Sequence, residues 1–193
     1  MSVISNLVNQ GLVLPCQLYP IKDLTHAFGI AKYLTRLNAE KETTSQIVFL
    51  DGELREDRRD RIGLHAKSEI LSLDTEDSKG DVYDKLVRIC RNVIKADKKL
   101  YMTTLYLVKE SIPFDDDGAK TAYSYIPWTG KKFEQDDLAD FLKLGMVMYR
   151  MALLDLPIYA TISSEPIALI YHWKQKGNNG KINPPHVHLL LSM

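Results

Sequence analysis

Three histidines stand within seventeen positions of one another near the carboxy terminus: His172, then His186 and His188 in the triplet "HVH". In an extended strand, residues two apart project to the same face, so His186 and His188 share a side. Three imidazoles around an open fourth position are the ligand set of a hydrolytic zinc centre. A small metal-dependent hydrolase using His172, His186 and His188 is therefore one reading. The neighbouring residues count against it. No carboxylate stands at an evident spacing to act as general base or to orient a ring, and neither Cys16 nor Cys90 lies close in sequence. His172 is the only third ligand on offer, and a one-residue slip in the connecting loop would send it to the opposite face. The expectation is thus no metal and no cofactor, with surface or hydrogen-bonded histidines at the start of a strand.

Other chemical templates fail. The chain has no G-x-G-x-x-G, no G-x-x-x-x-G-K-[ST], no G-x-S-x-G and no H-E-x-x-H. The segment Asp51-Gly52-Glu53 and the acidic triplet Asp115–Asp117 could hold a cation, but the latter precedes Gly118 and has the composition of a turn. Tyr101, Tyr106, Tyr123, Tyr125 and Trp128 could stack on bases; at strand spacing they are more simply core and cross-strand pairs.

The elements that would position such groups can be read along the chain. At 193 residues and 45% hydrophobic, it fits one domain plus an appendage, large enough to fold without a disulfide or metal. The two cysteines lack any C-x-x-C spacing and read as reduced thiols. Formal net charge is zero, which argues against a surface given over to nucleic acid but permits a local patch. No apolar run approaches the roughly 20 residues of a membrane span, and the first fifteen residues lack the basic start of a signal peptide. Any membrane contact is expected to be peripheral.

Residues 1–20 contain Pro15 and Pro20 and no amphipathic period, so they read as an extended or disordered arm ahead of a globular domain, 21–193. A first helix is expected where Leu24, Phe28, Ala31 and Leu34 recur. Strands are expected at 47–50 and 62–73, with a charged loop at 51–61 between them. Residues 80–99 form the clearest amphipathic helix, with Val82, Leu86, Ile89, Cys90, Val93 and Ile94 on one stripe. Lys85, Arg88, Arg91 and Lys95 lie largely off it, and Lys98 and Lys99 follow. The ordinary reading is a solvated basic face beside a favourable helix dipole; the sharper one is a patch for RNA or anionic lipid. Strands at 99–112 and 121–128, a largely apolar helix at 133–154, and strands at 158–163, 166–174 and 186–193 complete the chain. The implied fold is α+β, a mostly antiparallel sheet packed by two main amphipathic helices.

The stretch "LYPIKDLT" resembles a segment of rhabdovirus matrix proteins, particularly those of lyssaviruses, in which a proline-rich, tyrosine-containing arm leads into a Pro-apolar-Lys-acidic-Leu-Thr run. Here that run is Pro20, Ile21, Lys22, Asp23, Leu24 and Thr25. The order of strand (64–73), amphipathic helix (81–96) and Lys-Lys-led strand (98–109) is similar too, as are "AYSYIPWTGKK" and the late "LADFLKLGMVM". The sequence departs from that family in its neutral charge, in "LPCQLYP" where a late-budding motif would stand, and in having Lys22 as its first basic residue. The resemblance therefore implies a divergent member, from a plant-infecting lineage. It implies a non-enzymatic structural protein of the virion interior and of the host cytoplasm or inner membrane face. Such a protein self-associates and binds the viral nucleocapsid (nucleoprotein–RNA), an anionic membrane surface and the glycoprotein's cytoplasmic tail. It further implies that Leu14, Pro15, Leu18, Tyr19 and Pro20 dock as an arm on a neighbouring subunit. An interaction module with some other partner is the remaining reading.

Overall fold

The computed structural model describes residues 17–39, 43–50, 54, 68–106, 132–153, 156–176, 182–183 and 185–193. Strand β1 (Tyr19–Ile21) leads into helix α1 (Leu24–Thr35), then β2 (Thr43–Phe49), β3 (Leu71–Ser72), α2 (Glu76–Lys95) and β4 (Leu100–Tyr106). A 3₁₀ turn (Gln135–Asp137) opens α3 (Leu138–Leu153), followed by α4 (Ile158–Ser163), β5 (Glu165–Lys176), β6 (Ile182–Asn183) and β7 (His186–Ser192). The strands form one open sheet in the order β1-β4-β7-β5-β2-β3, with β6 pairing to β5. Every pairing among the described residues is antiparallel. The fold is α+β, as the sequence implies.

Local chemistry fixes the helix ends. Asp23 caps α1 by accepting from the His26 amide at 2.8 Å, and the helix stops where Arg36 turns into the left-handed region at φ 56°. Thr75 and Ser78 form a reciprocal capping box on α2, with Glu76 and Asp77 in its first turn and Lys95 in its last. The buried amide of Gln46 on β2 donates to the Phe133 carbonyl at 2.6 Å and accepts from its N–H at 2.8 Å, which anchors the entry to α3.

The sheet is covered on both faces. Ile47, Ala168, Ile170 and Leu190 pack under α1 and α2, against Ala27, Leu34, Val82, Leu86 and Cys90. The alternate residues Val48, Leu169, Tyr171, Val187, Leu189 and Leu191 pack under α3. Gly145 lets α3 lie close: a Cβ there would stand 2.7 Å from the Leu169 Cδ2. The near-continuous apolar surface of 138–154 is thereby explained, since most of α3 is buried.

Two expectations are corrected. Residues 158–163 form helix α4, not a strand. Pro157 sets the N-cap, its carbonyl accepts from the Ala160 amide at 2.8 Å, and the segment turns before reaching the sheet. The arm also ends earlier than residue 20. Tyr19, Pro20 and Ile21 pair with Met102, Tyr101 and Leu100 of β4, so they form an edge strand of their own chain. Pro20 lacks an N–H, which an outermost strand tolerates, and burial of Ile21 holds the segment down. Of the expected strand at 62–73, Leu71–Ser72 forms β3; residues 62–67, like 51–53, 55–61 and 107–131, lie outside the described residues.

Burial raises the Cys90 thiol to about 11. A Cys16→Ser variant should therefore show no titratable thiol with a disulfide reagent at pH 8 until denaturant is added. Rapid native labelling would mean that α2 does not pack on the sheet as described.

Candidate functional site

The antiparallel β5–β7 ladder makes His172 and His186 direct partners and sets His188 opposite Ile170. With period-two alternation, all three imidazoles emerge on the α1/α2 face. They are 1%, 2% and 2% exposed, so of the expected surface or hydrogen-bonded histidines the hydrogen-bonded form is the one present, and the ladder fixes the register that the loop left open. The rings stand nearly perpendicular to one another, with centroids 4.9–5.0 Å apart. One ring nitrogen from each can be chosen so that all lie within 4.8 Å of one another.

The hydrogen bonds constrain the tautomers. His172 Nε2 lies 3.0 Å from the Leu34 carbonyl, which can only accept, so Nε2 carries the proton. That carbonyl is one of those left open at the end of α1, so the histidine closes the helix as well as the sheet. His172 Nδ1 is then a lone pair, 3.2 Å from His186 Nε2. His188 Nδ1 sits 2.7 Å from Thr104 Oγ1, whereas its buried Nε2 has no hydrogen-bond partner. Burial, with smaller contributions from His186 and Arg36, pulls His172 down to about 3, against the Leu34 carbonyl. Burial, then the other two histidines and Arg36, holds His188 well below the usual range. Both rings are neutral at pH 7.

Groups from several elements face the cluster. Tyr33 of α1 meets His172 and His188 edge-on, with ring centroids 5.8 and 5.3 Å away. The Arg36 guanidinium stacks on Tyr33 at 4.2 Å, and its Nε and one terminal nitrogen are buried without partners. Ser45, the ladder partner of His172, has a buried, unpartnered hydroxyl. The strand spacing of "HVH" indicates two of the three histidines as a pair. Nothing local indicates Thr104, Arg36 or Ser45, which arrive through long-range pairing and helix packing.

The basic residues occupy a second location. Arg88, Arg91, Lys95, Lys98 and Lys99 are exposed at the carboxy-terminal end of α2 and just beyond it. Lys85 is half-buried, with its ammonium 3.9 Å over the Phe49 ring, and Lys98 pairs with Glu165 at 3.4 Å. Arg88, Arg91 and Lys95 stand at helical spacing on α2, with the Arg91 guanidinium 6.0 Å from the Phe28 ring centroid, and Lys99 follows past the helix end, just before β4. Of the expected arm, Leu18 is half-buried against the α3-side core, Tyr19 and Pro20 are in β1, and Leu14 and Pro15 lie outside the described residues. Beside β1 an open groove of about 550 Å³ is lined by Leu18, Tyr19, Lys99, Tyr101, Tyr159 and Met193, among others.

Fold and site together define an open antiparallel sheet between two helical layers, with a buried three-histidine cluster on one face and a basic helix end on its rim. No protein-family model matches the chain, no curated protein matches it, and no solved structure matches it at a significant level.

The buried neutral rings make stability depend on pH with a definite sign. The folded pKa of His172, about 3, lies below the ordinary 6.5, so between these values the unfolded chain binds more protons. Stability is full above about pH 6.5 and falls as the pH drops toward 3, by about 1.4 kcal/mol for each unit of separation. Urea midpoints of the wild type in chelating buffer should drop steeply between pH 7 and 4.5. His172→Gln, starting from a lower midpoint, should drop less steeply. A flat wild-type profile would contradict the buried neutral assignment.

Proposed function

We propose that the chain is a non-enzymatic structural protein of the viral matrix type. It self-associates and links a nucleoprotein–RNA complex to the inner face of a membrane envelope, with the glycoprotein's cytoplasmic tail as a further contact. Its place is the virion interior, and in the host the cytoplasm or inner membrane face. The observation that carries this reading is the exposed set of Arg88, Arg91, Lys95 and Lys99 on α2 and just past its end, which form no ion pair with a described residue. Cations there already offset the negative end of the α2 dipole, and their outward charge suits phosphate groups of lipid or RNA. No helix among the described residues is long and apolar enough to cross a membrane, in keeping with peripheral contact. The deep burial of His172, His186 and His188 supports the absence of hydrolysis, because a substrate has no access to rings 1–2% exposed. The exposed Tyr19 and Tyr159 beside the groove suit self-association.

Each cation near an anionic surface contributes about 1 kcal/mol. Replacing Arg88, Arg91, Lys95 and Lys99 together with Glu should abolish co-sedimentation with phosphatidylserine vesicles at moderate salt. The same variant should lose salt-sensitive binding to ribonucleoprotein, with an unchanged far-ultraviolet circular dichroism spectrum. Undiminished binding in both assays would refute the assignment and shift attention to the basic residues of 55–61.

A further inference from the structure

We propose that His172, His186 and His188 form a buried, structural binding site for a single zinc-class divalent metal ion. The inference stands apart from the reading of the basic residues on and just past α2 and reverses the expectation drawn from sequence.

Geometry is the first argument. Tetrahedral zinc with bonds of about 2.0–2.1 Å holds neighbouring ligand nitrogens roughly 3.4 Å apart. His172 Nδ1 and His186 Nε2 already stand 3.2 Å apart, and one ligand nitrogen from each of the three rings lies within 4.8 Å of the other two. The remaining approach to tetrahedral spacing falls to rotation of the imidazole side chains.

The outer nitrogens are the second. A ligating imidazole usually donates its other N–H to a carbonyl, carboxylate or water, which fixes the tautomer and aims the lone pair. His172 does this to the Leu34 carbonyl, and His188 places Nδ1 against the Thr104 hydroxyl. His172 therefore presents Nδ1, and His188 presents the Nε2 that has no partner. In the metal-free chain, the 3.2 Å contact needs a proton on His186 Nε2. When the ion binds, that proton moves to Nδ1 of the same ring, and the ion takes its place between two lone pairs. The three imidazoles release no net proton; a hydroxide as fourth ligand would come from water that gives up one proton to solvent, and chloride would release none.

Cost is the third argument. A buried polar atom left without a partner is unfavourable, and leucine would fill the space without that penalty. Three histidines on the face that otherwise carries Ile170 and Leu190 are explained if an ion satisfies them. The neighbours also specify the fourth ligand. The Arg36 cation is close enough to influence both His172 and His188, and two of its nitrogens lack acceptors. A metal-bound hydroxide or chloride would supply the acceptor and offset the repulsion between Arg36 and the ion. Since all three rings are almost fully buried, the ion clamps β5 and β7 beneath the end of α1 and has no substrate to reach.

The test uses full-length, untagged protein, stripped with chelator and titrated with Zn²⁺, and with Co²⁺ as a spectroscopic substitute. The expected result is one ion per chain and the intense visible bands of tetrahedral cobalt. At free zinc a hundredfold above Kd, the thermal midpoint should rise by roughly 5–10 °C. His188→Gln should abolish uptake while retaining the circular dichroism spectrum. The exposed His26→Ala variant should bind as the wild type does. Should His188→Gln fail to fold, the wild-type titration alone decides. No saturable 1:1 uptake, or only the weak bands of octahedral cobalt, overturns the proposal. Undiminished uptake by a folded His188→Gln does the same.

Discussion

The β5–β7 register is the constraint on which the rest of the structure depends. It pairs His172 with His186 and Leu169 with Leu189. Both strands are central and have a helical layer on each side, so neither has a face that tolerates error. A slip of one residue would drive the imidazoles into the aromatic core of Phe133, Phe141 and Tyr171 and turn Val187, Leu189 and Leu191 toward α1. The correct register instead gives His172 the Leu34 carbonyl at the end of α1 and gives His188 the hydroxyl of Thr104. One strand pairing thus sets the sheet, seats a helix end and assembles a polar cluster.

Core and rim then divide the work. The histidines are enclosed and tie β5, β7 and the end of α1 together. Under the proposed reading, encounter with a partner falls to the rim, where Arg88, Arg91 and Lys95 are exposed along α2. Lys99 also joins the two regions. Its backbone exchanges hydrogen bonds with Met193 at the end of β7, at 3.1 and 2.9 Å, so the basic end of α2 is tied to the strand that carries His186 and His188. Under the matrix-type reading, loosening the cluster would also disturb the surface that meets lipid or ribonucleoprotein.

Much of this was legible in the sequence wherever the signal is local. The apolar stripe Val82, Leu86 and Cys90 marks α2, and the alternation of Val187, Leu189 and Leu191 marks the faces of β7. The first helix stripe is legible as well, although Ala27 and Thr35 are buried more deeply than Leu24 and Phe28. What escaped depends on partners distant in the chain. A three-residue β1 has too few positions to show a period, and its pairing with β4 spans some eighty residues. The segment 158–163 has strand-like composition, but Pro157 at its N-cap, with its carbonyl accepting from the Ala160 amide, starts a helical turn there. The burial of the histidines escaped for the same reason: the side chains that cover them belong to α1 and β4.

The most direct test of the account is the state of the His172 ring in the metal-free protein. Long-range ¹H–¹⁵N correlation spectra of histidine-labelled, chelator-treated protein report the tautomer and charge of each ring. The account predicts a neutral His172 with its proton on Nε2, held toward the Leu34 carbonyl and unchanged from pH 7.5 down to 5. A ring that titrates near 6.5, or that carries its proton on Nδ1, would contradict the buried, inward-facing cluster.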